Sequence, residues 1–105
     1  MQEVYKATAA FSREEQYRLV SQIRRAAISV CSNIAEGASR VSKREKKRSY
    51  EISTSSLVEI DIQFEIAILL KYYTKGEMQQ MEQYLGSTFR MLSKMITNLS
   101  NPTSN

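Results

Sequence analysis

Three short capping motifs divide this chain into four stretches, and they constrain the fold more than any other feature of the sequence. Each has a serine or threonine followed three residues later by glutamate: Ser12-Arg13-Glu14-Glu15, Ser42-Lys43-Arg44-Glu45 and Thr74-Lys75-Gly76-Glu77. In such a box the hydroxyl accepts a hydrogen bond from the backbone N–H three residues on, and the glutamate reaches back to the first residue. Each box therefore predicts the start of a helix.

Apolar residues recur between these motifs at the three- and four-residue spacing of an amphipathic helix. The opening stretch, residues 1–10, is short and begins a series made of Val4, Tyr5, Thr8 and Phe11. The second stretch carries the seam Val20, Ile23, Ala27, Val30, Ile34 and Val41. Gly37 lies late in this stretch, and we expect it to loosen the helix. The last stretch carries Met78, Met81, Leu85, Phe89, Leu92, Met95, Ile96 and Leu99.

The third stretch, residues 43–73, is predicted to be one long helix with two apolar seams. One seam consists of Tyr50, Leu57, Ile60, Phe64 and Ala67. The other consists of Val58, Ile62, Ile66 and Leu69. Together they cover more than half of the helix circumference, which is too wide for a helix with one solvated side. The width of this apolar surface predicts that the protein forms oligomers.

These elements predict an all-α fold, an antiparallel up-down-up-down four-helix bundle, because very short connections make successive helices antiparallel neighbours. With only three Gly and one Pro in 105 residues, the chain lacks the turn residues that an all-β fold needs. The bundle domain is predicted to span residues 1–99, and the polar residues 100–105 are predicted to be a disordered tail. The short first helix does not match the length of the third. Either an upstream part of the natural chain is missing or another subunit covers the gap.

The basic residues are concentrated in one segment. The chain has 15 basic and 11 acidic residues, a net charge of +4, whereas residues 40–48 alone carry +5. The cations of this segment are Arg40, Lys43, Arg44, Lys46, Lys47 and Arg48. Clustered cations bind phosphates, and cations at a helix start oppose the helix macrodipole. The segment predicts either contact with RNA, DNA or an acidic partner, or a merely solvated helix start. No aromatic platform accompanies it, so base-specific recognition is not expected.

Four further polar residues are candidate structural positions. Arg24 and Arg25 are adjacent and point about 100° apart on a helix, so only one can face the core. That one is expected to pair with a carboxylate on a neighbouring helix, in preference to a phosphate: Glu36, Glu59 or Glu65. Asn33 and Glu36 lie beside the apolar seam and predict a polar network that fixes helix register or subunit geometry rather than catalysis.

The composition argues against an enzyme. Without histidine the chain lacks the commonest general base and metal ligand, and a di-iron site built on Glu59, Asp61 and Glu65 would need histidines too. We therefore predict no catalytic residues, no metal and no cofactor.

The single cysteine, Cys31, is expected to be a small buried apolar residue. The sequence shows no signal peptide and no membrane-spanning stretch, so a cytoplasmic protein without membrane contact is expected.

Several strings in the sequence resemble one protein family. They are Ser21-Gln22-Ile23-Arg24-Arg25-Ala26-Ala27, Ser32-Asn33-Ile34-Ala35-Glu36-Gly37, Arg48, and Ser56-Leu57 with Glu59 and Gln63. Over roughly residues 4–99 the chain resembles the "four helix bundle protein" family, which includes proteins encoded in intervening sequences of bacterial 23S rRNA genes. A related group is the accessory protein of diversity-generating retroelements.

The chain departs from the family pattern in a few places. Cys31 stands where the family usually has proline, and Ser53 and Ser55 stand where alanine and glycine are common. We expect close packing to survive these two added hydroxyls. The upstream part of the family's first helix, often with a tryptophan, has no counterpart here.

The resemblance implies a ring-forming homo-oligomer, a homopentamer, with a positively charged surface. It implies binding to nucleic acid, or a role as a protein-binding scaffold or accessory subunit for an enzyme such as a reverse transcriptase. A neighbouring reverse transcriptase gene would favour the scaffold, whereas location inside a ribosomal RNA gene would favour nucleic-acid binding.

Overall fold

The computed structural model describes residues 1–9 and 16–100, and within these ranges all regular structure is helical. The helices are α1 (Gln2–Ala9), α2 (Tyr17–Ser39), α3 (Lys43–Leu69) and α4 (Lys75–Ser100). The predictions of an all-α fold and four helices are confirmed, and α4 reaches one residue beyond the predicted end of the bundle. The predictions for Phe11, for the motif at residues 12–15 and for residues 101–105 lie outside the described residues.

Each helix packs against the next one along the chain, so that α2 contacts α1 and α3, and α3 contacts α4. The core is contributed by all four helices: Val4 from α1, Ile23 and Val30 from α2, Ile60 and Phe64 from α3, and Leu92 from α4 are almost completely buried. Burial of such side chains contributes about 1.5–3 kcal/mol each and dominates the stability of a small domain.

No helix in the described part of the chain combines the length and apolar character that crossing a membrane requires.

Small residues let α2 and α3 approach closely. The fully buried Ser53 donates a hydrogen bond from Oγ to the Val30 carbonyl oxygen at 2.8 Å, and the hydroxyls of Ser29 and Ser56 lie 2.8 Å apart. Each hydroxyl is therefore satisfied within the interface, which removes the cost of burying it. Ser55 is exposed and takes no part in this packing.

Gly37 is a point of close approach in this interface, and α2 continues through it to Ser39. It is buried within α2, and a Cβ built on it would lie 2.5 Å from Cε1 of the Tyr50 ring. Only glycine leaves room for this ring, so the residue that weakens the helix by its propensity serves to fix the distance between α2 and α3.

Helix α3 ends four residues before the predicted position 73. Lys71 adopts the left-handed backbone conformation, with φ of 64°. The backbone N–H of Tyr72 donates to the Ala67 carbonyl oxygen at 2.8 Å, and that of Lys71 donates to the Ile68 carbonyl oxygen at 3.0 Å. This pair of bonds is the Schellman motif that stops a helix, here with lysine at the position where glycine is usual.

Of the two capping boxes within the described residues, the one at Thr74 forms both predicted hydrogen bonds and the one at Ser42 forms the bond accepted by the serine. At the start of α3, Ser42 Oγ accepts a hydrogen bond from the Glu45 backbone N–H at 3.1 Å. Before α4 the box is reciprocal: Thr74 Oγ1 accepts from the Glu77 N–H, and Glu77 Oε1 accepts from the Thr74 N–H, each at 3.1 Å. These bonds satisfy backbone donors that have no partner inside the helix.

Two residues of the seams predicted for the second and fourth stretches, Val41 and Phe89, lie outside the core, as does Cys31. Val41 is almost fully exposed, because α2 ends at Ser39 and does not carry the seam that far. Phe89 is 43% exposed at the edge between α3 and α4. Cys31 is exposed, so its predicted burial is wrong. It lies on α2 and lines a surface depression together with Tyr5 and Ile28.

The second seam of α3 faces solvent in the single chain. Val58, Ile62, Ile66 and Leu69 are all exposed, as is Ile52, nearly two turns closer to the start of the helix. The residues of the first seam, in contrast, are buried without exception. The helix therefore has one apolar face in the core and another on the protein surface.

Candidate nucleic-acid interface

The basic segment begins where α2 ends and continues into the first turns of α3. The backbone N–H of Arg40 closes α2 by donating to the carbonyl oxygens of Glu36 and Gly37, at 3.1 and 3.3 Å. Two residues later Ser42 caps α3. This tight connection, together with the contact between Gly37 and Tyr50, holds the segment at one end of the α2–α3 pair.

The side chain of Lys46 binds the backbone of the preceding helix. Its Nζ donates hydrogen bonds to the carbonyl oxygens of Gly37 and Ala38, both at 3.2 Å. These carbonyls belong to the last turn of α2, where they have no partner inside the helix and carry the negative end of its dipole. Lys46 is half-buried, so the structure gives a structural role to one of the six predicted phosphate-binding cations.

Arg40 is partly neutralised by neighbouring carboxylates. Its guanidinium lies 3.6 Å from a carboxylate oxygen of Glu36 and 3.9 Å from one of Glu45. All three side chains are about half exposed, and such surface pairs are weak and exchange readily with other partners. Arg40 therefore lies at the margin of the cationic surface.

The remaining four cations form what we call the cationic patch: Lys43, Arg44, Lys47 and Arg48. All four side chains are exposed, and within the described residues none of them has an ion pair or a side-chain hydrogen bond. Lys43 and Lys47 are four residues apart, as are Arg44 and Arg48, so each pair lies on adjacent turns of one helix face. The patch presents four uncompensated charges to solvent within two turns.

Arg24 and Arg25 lie away from this patch, about 24 Å from Arg40 along α2 at the helical rise. Arg25 is exposed and Arg24 is half-buried, so only one of the two turns inward, as predicted. The carboxylate partner predicted for Arg24 is wrong. Its Nε donates to Thr8 Oγ1 at 2.8 Å, and one of its Nη atoms donates to the Tyr5 carbonyl oxygen at 3.2 Å.

The guanidinium of Arg24 also stacks on the Tyr5 ring, 4.9 Å from its centroid. Arg24 thereby joins α1 to α2 by two hydrogen bonds and a cation–π contact. The three expected carboxylates lie elsewhere. Glu36 pairs with Arg40, and Glu59 accepts a hydrogen bond from Gln63 Nε2 at 3.3 Å, while Glu65 is exposed on α3.

Asn33 takes part in a polar network, whereas Glu36 does not. Asn33 Nδ2 donates to the carbonyl oxygen of Ser29 at 2.9 Å and to its Oγ at 3.2 Å, and Ser29 Oγ meets Ser56 of α3. The network therefore links α2 to α3. Ser29 and Ser56, which complete it, were not among the predicted site residues, and neither was Ser53. Ser53 and Ser56 are three residues apart along α3, and this spacing is the signal that could have identified them.

The buried Tyr73, in the turn before α4, and the half-buried Tyr84 of α4 have shifted pKa values. Burial raises the pKa of Tyr73, and the nearby Glu77 carboxylate raises it further. Burial likewise raises the pKa of Tyr84, with a smaller contribution from Glu3. Tyr84 accepts a hydrogen bond from the Met1 amino group. These groups lie among α1, α4 and the turn that precedes α4, and not in the cationic patch.

The fold and this patch define a class of protein: a small helical domain whose charge is concentrated at one interhelical connection. Within residues 1–9 and 16–100 there is no group of three thiol or carboxylate side chains arranged to hold a metal ion. A family model described as 23S rRNA-intervening sequence protein matches residues 1–94, and the chain belongs to this family. A search of curated proteins finds no match to the chain.

Proposed function

We propose that this protein is a non-enzymatic, oligomeric bundle that binds RNA or DNA electrostatically through the cationic patch. The observation that carries the proposal is the exposure of Lys43, Arg44, Lys47 and Arg48 without ion-pair partners in the described chain. Clustered cations of this kind displace the counterions that surround a phosphate backbone, which drives binding without base recognition. The family name refers to a ribosomal RNA gene, and this agrees with a nucleic-acid ligand.

The helix arrangement in this proposal is up-down-up-down. Contacts between α2 and α3 support it, because they step backward along α3 as they step forward along α2: Gln22 meets Gln63, Val30 meets Ser53, and Gly37 meets Tyr50. The capping box at Thr74 follows α3 after a connection of a few residues, which favours the same reversal between α3 and α4.

Self-association is the second part of the proposal. The exposed residues Val58, Ile62, Ile66 and Leu69 support it, since a contiguous apolar surface on a small protein marks a contact with a partner. By family resemblance, the assembly is a ring of five copies. We place this function in the cytoplasm, where a thiol as exposed as that of Cys31 stays reduced.

A binding titration with salt tests the nucleic-acid ligand. Affinity for a single-stranded RNA and for a DNA duplex would be measured by fluorescence anisotropy between about 50 and 200 mM salt. In the test variant all four patch cations become glutamine. Its log affinity is expected to depend on log salt with a slope that is smaller by about 3, because roughly 0.7–0.9 counterions are released for each phosphate contact.

The matched control removes the same charge elsewhere, at the exposed residues Lys6, Lys75, Arg90 and Lys94. We expect this variant to keep most of the slope. Absence of binding at low salt, or an equal loss in both variants, would contradict the proposal. Binding to an acidic protein with no binding to either nucleic acid would favour the scaffold function instead.

A further inference from the structure

Helix α3 carries a buried seam and an exposed seam with the same spacing. The buried seam is Tyr50, Ser53, Leu57, Ile60, Phe64 and Ala67, and the exposed one is Ile52, Ser55, Glu59, Ile62, Ile66 and Leu69. Both alternate three- and four-residue steps, which is the spacing of a helix that packs along a second helix. We call the exposed one the outer seam. Its spacing indicates that a helix covers it.

The outer seam is acidic as well as apolar. Residues 49–69 contain Glu51, Glu59, Asp61 and Glu65 but no lysine or arginine, which gives a net charge of −4. A partner helix that covers this seam therefore needs apolar residues flanked by cations. An outer seam facing another outer seam would bring two acidic stretches of helix together, which disfavours a symmetric contact between two α3 helices.

A surface with the complementary properties lies on α2 of the same chain. A cleft of about 360 Å³ is lined by Tyr17, Val20, Ser21, Arg24, Arg25 and Ile28. Tyr17 is 75% exposed and Ile28 is 57% exposed. Helix α2 carries Arg18, Arg24 and Arg25 against Glu36 alone, which gives a net charge of +2.

We propose that a second copy of this chain covers the outer seam, with the outer seam of one copy packed into the α2 cleft of the next. Apolar residues meet apolar residues in this contact, and carboxylates meet arginines. Because the two surfaces are different, the contact is head-to-tail, and a pair of copies retains one unused surface of each kind for further copies. This inference rests on the proposed self-association and specifies which surfaces form it.

Two substitutions test the assignment, one on each surface. Ile28→Asp disables the α2 cleft and Ile62→Asp disables the outer seam; both side chains are more than half exposed, so the fold is expected to survive. Analytical ultracentrifugation would be run on each variant alone and on an equimolar mixture. Each variant alone is expected to be a monomer of 12.1 kDa. The mixture is expected to form a dimer of twice this mass, because each variant contributes the surface that the other lacks.

The control is Met91→Asp, which places the same charge on an exposed apolar residue of α4 outside both surfaces. It is expected to assemble like the unmodified chain. A mixture that stays monomeric, or an Ile28→Asp variant that assembles normally, would overturn the assignment. An unmodified chain that is itself a monomer would overturn self-association as well. Loss of nucleic-acid binding in the patch variant would affect neither result, since the cationic patch lies outside both surfaces.

Discussion

The ammonium group of Lys46 lies 3.2 Å from the carbonyl oxygen of Gly37, and this contact joins the first turns of α3 to the last turn of α2. A lysine in the middle of a basic segment thereby stabilises the end of the preceding helix. Its neighbours Lys47 and Arg48 are exposed and make no such contact within the described chain. In the proposed function, stability and ligand binding therefore depend on different cations of the same segment.

Exchange of lysine for methionine at positions 46 and 47 should separate these two roles. Lys46→Met removes a charge-assisted contact to the end of α2 and should lower the free energy of unfolding by about 1 kcal/mol. Lys47→Met should change it by less than about 0.5 kcal/mol. Urea unfolding measures both values, and RNA affinity at low salt is expected to fall more for Lys47→Met than for Lys46→Met. Equal effects of the two variants would contradict this division.

Gly37→Ala should destabilise the protein although alanine is the better helix former. The added methyl would meet the Tyr50 ring at 2.5 Å, and this ring is buried. Overpacking of this kind costs about 1–3 kcal/mol, against a gain of up to about 1 kcal/mol in helix propensity. We expect a lower melting temperature by calorimetry, and partial recovery when Tyr50→Leu is added.

Gly76→Ala is the matched control for that variant. Gly76 also lies in a helix, but no atom comes closer than 4.0 Å to its Cβ position. Here only the propensity changes, so the melting temperature should rise. If Gly37→Ala and Gly76→Ala shifted stability in the same direction, the close contact with Tyr50 would not be what requires glycine at position 37.

Lys71→Gly should stabilise the chain. Lys71 has φ of 64°, and the left-handed conformation costs a residue with a Cβ about 1–2 kcal/mol. Glycine removes this cost but raises the entropy of the unfolded chain, so the net gain is about 0.5–1 kcal/mol. Urea unfolding would measure it. Lys75→Gly, at the start of α4, should not stabilise the protein, and a gain of the same size there would refute the explanation.

Stability should fall at alkaline pH because of Tyr73 and Tyr84. Both have pKa values raised in the folded state, chiefly by burial. An unfolded tyrosine loses its proton near pH 10, so above this pH the unfolded chain binds fewer protons than the folded one. The contribution of these two tyrosines to the free energy of unfolding is therefore complete below about pH 10, and it is lost as pH rises through their folded-state pKa values.

The double variant Tyr73→Phe/Tyr84→Phe should reduce this alkaline loss. Unfolding free energy measured between about pH 9 and 11.5 should depend less steeply on pH than in the unmodified chain. Tyr17→Phe, at a residue that is 75% exposed, serves as the control and should leave the slope unchanged. A slope that Tyr73→Phe/Tyr84→Phe leaves unaltered would show that other groups cause the loss.

Local sequence signals predicted the helices well, because helix starts depend on contacts between residues three or four apart. The box at Thr74 forms both predicted hydrogen bonds, and the box at Ser42 forms the one that the serine accepts. The end of α3 was predicted too late, since a left-handed lysine leaves no distinctive sequence signal. The family was identifiable from the strings around Arg24 and Asn33, and the family match confirms it.

The sequence by itself determined four amphipathic helices, the concentration of charge in residues 40–48 and the two seams of α3, because periodicity and charge are properties of neighbouring residues. Only the tertiary structure decided what each side chain contacts. In the fold, Lys46 contacts the end of α2, and Arg24 contacts Tyr5 and Thr8. Gly37 is a point of close approach between α2 and α3. These contacts join residues 9 to 19 positions apart, where the relative placement of two helices, and not helical periodicity, sets the distance.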